Sequence, residues 1–102
     1  MIATREFVLP PDHPILPGHF PSHPVVPGVI LLSWVELMAA ELASAPVTAC
    51  AWLNVKFVQP LSPAQTCRIT LTSATSGSAA FRIERDGQLI ASGLLKWEIA
   101  VT

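Results

Sequence analysis

Charge is scarce in this chain. Six of its 102 residues are Lys or Arg and seven are Asp or Glu, so 13% are charged, against about 25% in ordinary domains. The cations are scattered and the formal net charge is −1, which leaves no basic field for nucleic acid. Cysteine is sparse too. Cys50 and Cys67 make no disulfide framework, and both fall in β-like stretches where a small buried thiol is expected. Neither has a histidine beside it in the sequence, which argues against a catalytic thiol. His13, His19 and His23 have no zinc-type spacing with the cysteines, so no metal and no cofactor is expected. No glycine-rich loop is present to cradle a phosphate. The chain does not open with a basic stretch leading into an apolar one, as a signal peptide does. Its most apolar run, residues 25–43, contains Pro27, Gly28, Glu36 and Glu41, so no membrane span is expected and a cytoplasmic location is the default.

Apolar surface, by contrast, is plentiful. Hydrophobic residues make up 51% of the sequence. A single domain over residues 1–102 cannot hide that much, so a homo-oligomer is expected, most simply a symmetric dimer.

The prolines and histidines are concentrated. Half of the ten prolines and all three histidines lie in residues 12–36. Each proline fixes φ and biases the residue before it away from helix, so the segment up to Pro24 reads as a stiff extended loop. Pro27 suits the first turn of a helix. From Pro27 to about Ser44 the apolar positions cover most of a helical surface. Ser33, Glu36, Ala40 and Ser44 fall within about 80° of one another as a narrow polar seam, with Glu41 at its edge. Such a helix is expected to be buried on most sides and to stop at Pro46.

The remainder reads as β. Residues 2–9 form a short strand ended by Pro10 and Pro11. Residues 47–58 form a long strand, Pro60 and Pro63 make a turn, and residues 66–75 alternate. Ser76-Gly77 turns the chain into a strand over 79–85, Asp86-Gly87 is a two-residue hairpin signal, and 88–101 closes the sheet. Gly93, inside that last strand, points to a bulge or a close contact. An antiparallel sheet of about five strands needs a cover for its apolar face, and the helix is the one candidate. The fold class is α+β, one sheet wrapped around one long helix.

The run His13-Pro14-x-x-x-Gly18-His19-Phe20-Pro21-x-x-Pro24-x-x-Pro27-Gly28-Val29 resembles the signature of the β-hydroxyacyl-acyl carrier protein dehydratases. Asn54-Val55-Lys56-Phe57 with Pro60-Leu61-x-Pro63, the Asp86-Gly87 hairpin and Ala91-Ser92-Gly93 resemble later parts of the same family. The likeness spans nearly the whole chain. The segment Leu31-Leu32-Ser33-Trp34 also resembles a side branch associated with aryl-polyene biosynthesis.

The resemblance implies a hotdog fold, a dimer with two sites at its interface, and a substrate carried on the phosphopantetheine arm of an acyl carrier protein. The implied reaction removes water from a 3-hydroxyacyl thioester to give the trans-2-enoyl thioester. His19 occupies the position of the family's catalytic histidine, and the Gly28 amide that of the donor to the thioester carbonyl. Phe20, Pro27 and Val29 flank these positions as substrate-binding candidates. One departure matters: the family's helix carboxylate, fourteen residues after the histidine, is Ser33 here.

Dehydration needs a base for the proton α to the thioester and an acid for the leaving hydroxyl. An imidazole with a reference pKa of about 6.5 suits the base, and a helix N-terminal amide suits the enolate oxygen. A serine hydroxyl can orient water or substrate but is a poor acid. Glu36, one turn on and about 4.5 Å along the axis, is the substitute candidate. Two other readings fit the same residues. One is a hotdog acyl thioesterase using Ser33 and Glu36. The other is a non-catalytic subunit that binds acyl chains or partners an active chain.

Overall fold

The computed structural model describes residues 1–14, 16 and 24–99, without the side chains of residues 49, 50 and 74. The elements follow in the order β1 (Ile2–Phe7), α1 (Gly28–Ala43), β2 (Val47–Phe57), β3 (Cys67–Thr75), β4 (Ser78–Arg85) and β5 (Gln88–Ile99). The five strands form one antiparallel sheet in the order β1-β3-β4-β5-β2.

The middle of the sheet follows from strict alternation. Cys67, Ile69 and Leu71 on β3, Ala79, Phe81 and Ile83 on β4, and Leu95 and Trp97 on β5 are buried. Their neighbours Arg68, Thr72, Ala80, Arg82, Lys96 and Glu98 are exposed. The register keeps the two sets apart, with Ile69 opposite Ile83 and Ile83 opposite Ala91. The helix lies across the inner face and touches β1, β2 and β3. It buries Leu31, Val35, Met38 and Ala39, a stripe at helical spacing. Among the described residues no polar or charged side chain is buried.

Edge strand β1 ties down the outer end of the helix. Phe7 stacks on Trp34 with ring centroids 5.0 Å apart, and Arg5 lies over the Phe7 ring and pairs with Glu41. The ion pair is half exposed and contributes about 0–1 kcal/mol. The stacked rings contribute about 0.5–1.5 kcal/mol beyond their burial.

Three sequence expectations shift. β1 stops at Phe7 rather than Leu9, because the Leu9 carbonyl leaves the ladder and accepts from the Ala64 amide at 2.8 Å. The helix is ended by Ser44, not directly by Pro46. Ser44 takes a left-handed conformation at φ 56°, and the Ala45 amide bonds back to the Ala40 carbonyl. The helix is also less enclosed than expected. Its open face carries Val29, 66% exposed, and Leu37, 46% exposed, together with Ser33, Glu41 and Ser44, while Glu36 and Ala40 lie half-buried on the flank. One five-stranded sheet covers only one side of a helix, so the polar seam is wider and more apolar than the sequence pattern implies. The expected strand over 88–101 is described to Ile99.

Candidate functional site

The helix begins without a side-chain cap and has no acidic residue in its first turn. Pro27 is the N-cap, at φ −59° and ψ 144°, one position earlier than the first-turn placement the sequence suggests. Its carbonyl accepts from the Ile30 amide at 3.0 Å and the Leu31 amide at 3.3 Å. The first amides of a helix have no intrahelical acceptor and sit at the positive end of the helix dipole. Gly28 is the first of them, so its N–H is a donor placed to meet a developing negative oxygen.

An apolar groove of about 390 Å³ opens beside this amide. Val25, Val26, Gly28 and Leu31 form one wall, and the chain from Phe57 to Leu61 forms the other. The Val26 amide donates to the Leu61 carbonyl at 2.7 Å and pins the two walls together. The Phe57 ring lies against the backbone of Gly28: a Cβ added there would stand 2.9 Å from Phe57 Cζ and 3.1 Å from Cε1. Gly28 therefore has a steric reason to be glycine, since even alanine would displace the ring. A larger cavity of about 610 Å³ lies at the other end of the helix, near Leu42 and Trp97. No acidic or basic side chain lines it.

Neither Ser33 nor the acid candidate Glu36 lines this groove. Ser33 lies about 140° around the axis from Gly28. It is exposed, and its hydroxyl donates to the Ile30 carbonyl at 2.6 Å. Glu36 is half-buried beyond it, with no hydrogen-bond or ion-pair partner among the described residues. Glu41 is engaged by Arg5. Val29, a substrate-binding candidate, points onto the open face. Within one chain, Gly28, Pro27 and the groove come together, while Ser33, Glu36 and Val29 do not join them. His19, Phe20 and His23 lie outside the described residues, as does the side chain of Cys50. Cys67 is the buried thiol expected of it, and its removal from water pushes its pKa up from 9.0 to about 11, far from a reactive thiolate.

The sequence pattern places Phe57 near the end of a long strand but not on top of Gly28. A signal was present. Asn54 is a poor strand former that tolerates left-handed backbone, and it sits at φ 53° within β2. Gly93 meets the expectation of a close contact: a Cβ there would lie 3.0 Å from ring atoms of Phe81 and from Cγ2 of Val55.

The ApeI-like family model, described as ApeI dehydratase, matches residues 2–94. The 3-hydroxyacyl-[acyl-carrier-protein] dehydratase FabZ of Streptococcus pyogenes serotype M3 is 33% identical over 106 residues, covering 93% of this chain and 75% of that protein. Among solved structures, the dehydratase heterocomplex ApeI:P from Xenorhabdus doucetiae superposes with a TM-score of 0.82 at 29% identity, covering 94% of this chain and 86% of that one. A mutant of the fluoroacetyl-CoA-specific thioesterase FlK superposes with a TM-score of 0.68 at 19% identity over 98% of this chain and 85% of that one, a likeness of fold alone. The sheet and helix are those of the hotdog fold.

Proposed function

The chain belongs to the ApeI-like family of dehydratases, and from that premise we propose that it removes water from a 3-hydroxyacyl thioester carried on the phosphopantetheine arm of an acyl carrier protein. The product is the trans-2-enoyl thioester. The observation that carries the reading is the uncapped Gly28 amide at the head of an apolar groove. That arrangement suits a thioester carbonyl whose oxygen gains charge during the reaction.

In the proposed mechanism the Gly28 N–H donates to the thioester oxygen. His19 takes the proton from C2, the electron pair forms the C2–C3 double bond, and the C3–O bond breaks. The departing hydroxide takes a proton and leaves as water. Glu36 is the proposed donor of that proton, with Ser33 orienting the hydroxyl or a water molecule. His19, once protonated, can return its own proton if Glu36 stands too far away. Phe20, Pro27 and Val29 are proposed to line the approach to the amide.

Ser33 on the open helix face and Glu36 on its flank both stand outside the Gly28 groove of their own chain, which favours a site completed by a second copy. The apolar content of that open face and the position of β2 at the end of the sheet support a homodimer. The proposed setting is the cytoplasm, where no cofactor is required.

A second reading is favoured by one observation. The hydroxyl at the family's carboxylate position is committed to the Ile30 carbonyl. On that reading the chain is a binding subunit that pairs with an active relative, as the name of the ApeI:P heterocomplex invites. A thioesterase remains a third outcome of the test.

The test is hydration of a trans-2-enoyl thioester by the purified protein, followed by loss of enoyl absorbance with free thiol assayed in parallel. His19→Ala is expected to lower the rate at least 100-fold, Glu36→Gln about 10- to 100-fold, and Ser33→Ala less than about 5-fold. Unchanged turnover in His19→Ala would defeat the mechanism. Free thiol without hydration would assign a thioesterase, and no turnover with either carrier-bound or free thioester would assign the binding subunit.

A further inference from the structure

β2 breaks its own alternation just before it reaches the helix N-terminus. Trp52 pairs with Leu95 and Leu53 with Leu94, after which Lys56 pairs with Ser92 and Phe57 with Ala91. Between these pairs β2 places Asn54 and Val55 against the single residue Gly93, a bulge of two residues against one. Asn54 adopts φ 53° to make it.

The consequence is one of parity. Trp52 faces inward, edge-on to Phe81 with centroids 5.9 Å apart. Under strict alternation Phe57, five residues later, would face outward. The extra residue in the bulge turns it inward again, opposite the buried Ala91 and onto Gly28. Two glycines make room for this. Gly93 admits Val55 and Phe81 where a Cβ would crowd both at 3.0 Å, and Gly28 admits the Phe57 ring itself. Yet the ring remains 55% exposed, so core burial does not account for a backbone irregularity and two sterically constrained glycines. Bulges next to functional sites commonly re-aim one side chain.

We propose that Phe57 is a specificity-determining residue, its ring forming the wall beside the Gly28 amide and setting the width of the acyl group accepted at C2. The inference rests on the reading of Gly28 as the thioester donor. A thioester carbonyl on that amide places C1 and C2 next to the ring. The reacting segment becomes planar as the enolate and the enoyl product form, and the edge of that plane at C2 runs along the aromatic wall. C2 is trigonal in the enolate and in the enoyl product, so a methyl group on it lies in that plane and widens the segment at the edge that meets the ring. Straight-chain and conjugated acyl groups therefore fit, and C2-branched ones are held off. A single methyl group in an apolar site discriminates by about 10- to 200-fold.

The experiment compares kcat/KM for hydration of straight trans-2-enoyl and 2-methyl-trans-2-enoyl thioesters in the wild type, Phe57→Ala and Phe57→Leu. The wild type is expected to favour the straight substrate at least 10-fold, chiefly through KM. Phe57→Ala is expected to narrow that ratio to within about 3-fold, with Phe57→Leu between. An unchanged ratio in folded variants overturns the proposal, as does a loss of dimer with the ratio intact, which would make Phe57 an interface residue. Failure of the functional reading is separable. If the wild type turns over neither substrate, saturated butanoyl- and 2-methylbutanoyl-pantetheine are titrated against the Gly28 amide resonance. Discrimination that vanishes in Phe57→Ala then supports the wall without the chemistry, and equal affinities in the wild type refute it.

Discussion

Ser33 stands where the resemblance to the dehydratases implies a carboxylate, and its hydroxyl is turned back onto the Ile30 carbonyl of its own helix. The neighbouring carboxylate of Glu36 is half-buried and unpaired among the described residues, so the helix still holds one acid within a turn of the vacant role. Cys67 shows what burial does to an ionisable group elsewhere in the chain. Its thiol is held neutral, with the pKa raised from 9.0 to about 11. Below pH 9 the thiol is protonated in both folded and unfolded chains, and its ionisation costs the fold nothing. As pH climbs from 9 toward 11 the unfolded chain ionises first, so stability falls across that window. In a Cys50→Ala variant, which leaves one thiol, modification at pH 8 is expected to proceed only as fast as global unfolding. Rapid labelling without denaturant would contradict the burial.

The helix and β2 each contain a left-handed residue that is not glycine, and each has a local consequence. Ser44 ends α1 at φ 56°, a conformation that costs an L-residue about 1–2 kcal/mol and glycine almost nothing. Ser44→Gly is therefore expected to stabilise the protein by about 0.5–1 kcal/mol. For a chain of this size that is a rise in Tm of about 3–6 °C, measured by thermal denaturation. No rise, or a fall, would mean that the serine side chain supports the cap. Asn54 does for β2 what Ser44 does for the helix, but it redirects a strand rather than ending one. That single irregularity decides which face Phe57 occupies.

At the scale of the whole molecule the sheet covers one side of the helix and leaves the other open. Val29 and Leu37 on the helix, Leu53 on edge strand β2 and Val58 just beyond it are between 38% and 66% exposed. Scattered apolar residues need no explanation, but an apolar helix face beside an edge strand makes a template for a second copy. Sedimentation of the wild type is expected to give a dimer at micromolar concentration, and Leu37→Glu to shift it at least 10-fold toward monomer, because a carboxylate would be desolvated at the contact. A monomeric wild type would remove the homodimer and leave pairing with another chain. Among the described residues no helix is long and apolar enough to cross a membrane, as the charges and Pro27 within the apolar run lead one to expect.

The order of elements, the two-residue turn at Asp86-Gly87, the buried alternation of β3 and β4 and the family itself are all written locally, in spacings of two and of 3.6 residues and in the motif around Gly28. Such signals depend on near neighbours in the chain, so the sequence alone determined them. The placement of Phe57 on Gly28, the bulge facing Gly93 and the bond that removes Leu9 from its strand join residues far apart in sequence. No local period encodes them. They were decided by tertiary packing, where a sheet of five strands must bend around a helix it can cover on only one side.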